Sequence, residues 1–165
     1  MALSADILTE RFGTPGQGDQ PINKTLNTGI TIYRGSMAGL YGATAAQGTL
    51  KNEDTVASTD LIVGIVQKAG SGYSNATVGI TGPCTVEIET GTFILASGTG
   101  ADALGVTTNM TTVYAINSYT VGATNGGSTR PVAGVQMACN ADDPSIPTGY
   151  VAVKLGTPNS PLGGP

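Results

Sequence analysis

The chain has 165 residues, 7 Lys+Arg against 11 Asp+Glu for a net charge of −4, 25 Gly, 9 Pro and no His. That length suits a single domain, and its 11% of charged residues is well below the roughly 25% of an average soluble protein. The missing histidine excludes Ser-His-Asp and Cys-His nucleophile systems and His-containing zinc sites. No basic stripe marks a nucleic-acid face, and the excess of glycine argues against long helices.

From the N-terminus, residues 1 to 28 are polar and irregular. GTPGQGDQP (13–21) crowds turn residues together, so the segment reads as an extended arm. Within it, ALSADILTERF offers at most a short amphipathic turn. It has acidic residues and no long apolar run, which is not the pattern of a secretory signal. The Asn-x-Thr triplets at Asn23, Asn75 and Asn109 then carry no glycosylation expectation.

A train of short β-like runs follows. ITIYR (30–34) alternates, with Ile30, Ile32 and Arg34 on one face. LIVGIVQK (61–68) is a near-continuous apolar run, as in a strand buried on both faces. ATVGIT (76–81) and CTVEIE (84–89) flank Gly82-Pro83. In the second, Thr85, Glu87 and Glu89 point one way and Cys84, Val86 and Ile88 the other. TFILAS (92–97), TTVYAI (111–116), SYTVG (118–122), PVAGVQMA (131–138) and GYVAVKL (149–155) complete the series. Short strands with Gly, Pro and Asn turns predict an all-β fold, a small antiparallel β-barrel or sandwich. The expected division is an arm over 1–28, a β domain over 29–156 and a short C-terminal tail over 157–165, where TPNSPLGGP cannot hold ladder hydrogen bonds. VGIVQKA (63–69) faintly echoes AGVQMA (133–138). Two strands in similar sheet environments produce such a match more readily than a duplication does.

Candidate chemistry is thin. FILASGTGADALG (93–105) imitates a dinucleotide loop, but its third glycine is displaced and TTNMTT is a poor helix to follow it; a turn or long loop is the expectation. Glu87 and Glu89 share a strand face and are read as a solvated face rather than a cation site. Asp142-Asp143-Pro144 is read as a turn with Asx capping, without the spacing of a calcium loop. No lysine stands in an S-x-x-K motif, and the six tyrosines are scattered. Cys84 and Cys139 are read as two small buried hydrophobes in preference to a single bridge. Neither enzymatic activity nor a cofactor, metal, small-molecule substrate, nucleic-acid or membrane partner is expected.

Three segments in order carry a likeness to a known family: TGITIYRGSMAGLYGATAA (28–46), VGIVQKAGSGYSNATVGITGPCTVEIETG (63–91), and TVYAINSYTV, STRPVAGVQMAC and PTGYVAVKLG within 112–156. Their sequence of early strand, core strand, hairpin and closing V-x-V-x-L resembles the capsid decoration (cement) proteins of tailed bacteriophages over roughly 28–156 of this chain. The resemblance implies a subunit made in the bacterial host cytoplasm that binds the outer capsid surface of the virion. Its partners would be the major capsid protein and further copies of itself, as a homotrimer. The arm, which departs from the more compact members, is expected to dock on the shell or a neighbour through Ile7, Leu8, Phe12 and Ile22. The alternative is another phage structural β protein of the tail tube, baseplate or fibre.

Overall fold

The computed structural model describes Phe12 and residues 21–40, 50–52, 58–69 and 80–156. Among them the chain is all-β. In order the strands are β1 (Ile22–Leu26), β2 (Thr31–Ile32), β3 (Met37–Leu40), β4 (Leu50–Asn52), β5 (Leu61–Ala69), β6 (Ile80–Thr81) and β7 (Cys84–Glu89). They continue with β8 (Thr92–Ser97), β9 (Thr112–Asn117), β10 (Thr120–Gly122), β11 (Val132–Cys139) and β12 (Tyr150–Leu155). Among the described residues the helical content is two 3-10 turns, Gly100–Asp102 and Val106–Thr108.

These strands close into two five-stranded barrels, β1-β4-β3-β5-β7 and β10-β8-β12-β11-β9, while β2 pairs with β6. The expectation of an antiparallel sheet holds except for one pair in each barrel, β1 with β4 and β8 with β10, which run parallel. Closure requires this. An odd number of strands cannot alternate in direction around a ring, so one adjacent pair must run the same way. β1 lies within the segment read as arm; its ladder to β7 from Ile22↔Ile88 to Leu26↔Cys84 makes it a barrel stave.

The barrels are copies of one design. In each, the first strand lies parallel to the third and antiparallel to the fifth, and the second and fifth both flank the fourth. Registers match as well. Ala38 faces Gly64 and Ile65 faces Glu89 in the first barrel, as Val113 faces Gly134 and Val135 faces Lys154 in the second. The register slips at Val63 and Gln67 on β5, and at the equivalent Ala133 and Met137 on β11. Such bulges increase local twist and bend a strand, as tight closure needs. The backbone turns entering β3 and β9 agree too. Gly35 N–H donates to Val66 O at 2.8 Å and Val66 N–H to Ser36 O at 2.9 Å; Met110 N–H donates to Gln136 O at 2.8 Å and Gln136 N–H to Thr111 O at 3.1 Å. The faint echo between 63–69 and 133–138 thus falls on the fourth strand of both barrels, with Gly64 and Gly134 aligned. Its two glutamines do not align, because Val66 is the counterpart of Gln136.

The first barrel's interior holds Leu26, Ala38, Val63, Val66, Val86 and Ile88, with Ile32 beside them. The second holds Phe93, Leu95, Val113, Ala115, Val121, Val151 and Val153, and its cluster also includes Met37, Ile62 and Ile65 from β3 and β5. From Ile62 to Val66 β5 is therefore buried on both faces, as its near-continuous apolar run predicts. One face lines its own barrel; the other packs against its neighbour.

Candidate binding surfaces

The glycine-rich segment after β8 serves close packing. A Cβ at Gly98 would lie 2.6 Å from Asp102 Cβ, so only glycine lets the Gly100–Asp102 turn fold back here. Asp102 Oδ1 then accepts from Thr124 Oγ1 at 2.6 Å, Thr124 N–H at 3.2 Å and Arg130 Nη1 at 2.8 Å. Arg130 Nη1 also donates to Thr124 O at 3.2 Å. The cluster clasps the β8–β9 connection to the β10–β11 connection. The Thr124 hydroxyl above all, with Arg130 helping, holds the Asp102 carboxyl below its ordinary pKa.

A second polar cluster sits under the next turn. Gln136 is fully buried. Its Nε2 donates to Gly105 O at 2.9 Å and Asn109 Oδ1 at 2.6 Å, and its Oε1 accepts from Thr108 Oγ1 at 2.8 Å. Asn109 Nδ2 donates to Asp142 Oδ2 at 2.7 Å, which also accepts from Cys139 N–H at 2.9 Å and the Cys139 thiol at 3.1 Å. Asn109 first, then the Cys139 amide, keeps the Asp142 carboxyl below its usual pKa. Asp143 Oδ1 accepts from Ser145 N–H at 2.9 Å, the Asx turn expected of Asp142-Asp143-Pro144, and this amide likewise lowers its pKa. Both carboxylates are engaged in loop geometry. Cys139 is buried with a free thiol.

The two clusters hold rigid an end of the second barrel that exposes apolar side chains. Met110 is 70% exposed and Val106 53%, on the β8–β9 connection. Met137 on the β11 bulge and Tyr150 at the start of β12 are also exposed. Met110 has φ 62°, the left-handed region, where its counterpart Gly35 has φ 85°. Sequence reasoning missed this surface. Each apolar residue stands alone among polar neighbours, and pairing of distant strands brings them to one end.

Of the residues read as arm anchors, Ile7 and Leu8 lie outside the described residues. Phe12 is half-buried, and its N–H donates to Thr92 O at 2.8 Å at the junction of the two barrels. Ile22 packs against the first barrel's core, because β1 is a stave of that barrel. Glu87 and Glu89 are half-buried on β7, opposite the fully buried Val86 and Ile88. Among the described residues, no group of three or more Cys, Asp or Glu is placed to hold a metal ion, and no helix is long and apolar enough to cross a membrane. The chain matches no family model, no curated protein and no solved structure.

Proposed function

We propose that this chain is a structural virion subunit, a decoration or cement protein that binds the outer surface of an assembled phage head as a homotrimer and stabilises it. The observation carrying the reading is the rigid, loop-capped end of the second barrel, with Val106 and Met110 exposed on turns pinned by Gln136, Asn109 and Asp142. Preordered apolar contacts bind protein surfaces without a large ordering cost. Repetition over a symmetric shell makes modest contacts strong by avidity. The segment order, which resembles that of the decoration proteins, supports the same reading, and the major capsid protein is the partner it implies.

The test is cosedimentation of the purified chain with intact and unassembled shell protein, together with imaging of the particle carrying it. Binding to assembled heads and a raised shell melting temperature are expected. Failure to bind heads overturns the reading, and density in the tail would transfer it to a tail-tube, baseplate or fibre role. Truncation of the arm must stop before Pro21, since β1 begins at Ile22. Deletion of residues 1–20 should lower head occupancy if the arm docks there.

A further inference from the structure

The contact between the two barrels joins unlike surfaces. The first barrel contributes the outer face of β3 and β5, where Met37, Ile62 and Ile65 are fully buried within the second barrel's cluster. The second contributes an end. Ser118 O, in the β9–β10 turn, accepts from Met37 N–H at 2.8 Å, and Ala133 near the start of β11 and Leu155 at the end of β12 share one cluster with Met37, Ile62 and Ile65.

Because the barrels share one register, each half of this contact has a counterpart elsewhere on the chain. The counterparts of Met37, Ile62 and Ile65 are Thr112, Val132 and Val135 on β9 and β11, and all three are only partly buried. Beside them stands exposed Met110, the counterpart of buried Gly35. At the other half, Phe93 and Ala115 in the second barrel are buried, while their counterparts Ile22 and Leu40 in the first are only partly buried. Leu61, the counterpart of buried Pro131, is 37% exposed. Among the described residues, one face and one end are thus left over, and they correspond to the two surfaces that already fit each other.

We propose that the barrel–barrel contact is repeated between chains. The β9/β11 face around Thr112, Val132 and Val135 receives the end of the first barrel around Ile22, Leu40 and Leu61 from a second copy. The occupant is a copy of this chain because the same pairing of equivalent surfaces is already made inside it. Such an interface is heterologous, so it builds a ring where its rotation closes and a filament where it does not; the homotrimer of the functional reading is the closed case. The proposal deepens the self-association part of the functional reading, and shell binding is assayed separately, so either can fail alone.

The test is native mass spectrometry and sedimentation of the purified full chain at micromolar concentration. A discrete oligomer is expected. Val135→Glu on the face and Leu61→Glu on the end should each weaken association by at least about tenfold with circular dichroism and melting intact. Thr112→Arg replaces the first variant if it melts early, and Leu40→Glu the second. Mixing the face variant with the end variant should give a one-to-one dimer that grows no further, since one intact face then meets one intact end. A monomeric wild-type chain, variants with wild-type mass, or a mixture that stays monomeric would each overturn the proposal.

Discussion

Gly64 and Gly134 hold the same place in two barrels: a Cβ on the first would collide with the carbonyl oxygen of Glu89, and on the second with that of Lys154. Each lies on the fourth strand next to a register slip, where the paired fifth strand runs close beside it. Backbone against backbone has no flexible side chain to yield, so both sites require glycine.

Gly134→Ala is therefore expected to cost about 2–3 kcal/mol as overpacking and to lower the melting temperature by roughly 5–10 °C. Gly64→Ala should behave alike. Thermal unfolding of both variants checks the equivalence; a tolerated alanine at either site would contradict it.

Gln136 stands where the first barrel has Val66. Gln136→Val restores that apolar choice but leaves Gly105 O and Asn109 without their buried partner. A loss of about 1–3 kcal/mol is expected from the unsatisfied groups. Amide exchange should quicken over 105–111, with the first barrel's amides unchanged.

The acid limb of stability follows from Asp102. Its pKa is lowered in the folded chain by Thr124 first and by Arg130, so its contribution is fully present above the unfolded value of about 3.9 and is lost as pH falls through the folded one. Asp102→Asn is expected to be less stable than wild type at neutral pH, with the gap narrowing below about pH 4. Asp142 and Asp143, also lowered, leave the variant a residual acid dependence. Urea midpoints measured from pH 7 to pH 2 give both curves.

Met110 keeps a left-handed backbone that Gly35 adopts freely. Met110→Gly is expected to stabilise the isolated chain by up to about 1 kcal/mol, by relieving the left-handed penalty, while weakening self-association. Melting temperature and oligomer mass should thus move in opposite directions, and a variant that gains in both would remove Met110 from the docking surface.

The strands at 84–89 and 92–97 were legible to the residue because alternation with period 2 is written locally. LIVGIVQK announced burial on both faces for the same reason. Bulges blurred the rest. On β11 the extra residue at Met137 breaks the alternation and turns a methionine outward between buried Gln136 and Cys139. β1, β3 and β4 escaped notice because INKTL, MAGL and LKN carry too few alternating apolar positions.

The abundant glycine and the short apolar runs between turn residues determined an all-β chain of turns and short staves, while the lack of histidine narrowed only its chemistry. How many barrels those staves make was decided only by tertiary pairing. Closure depends on contacts between distant strands, β1 with β7 and β8 with β12. Identical registers were filled with different residues, Val66 against Gln136 and Gly35 against Met110, because a barrel constrains volume and hydrogen bonding at each position more tightly than it constrains residue type. The repeat is therefore plain in the ladders and nearly silent in the letters.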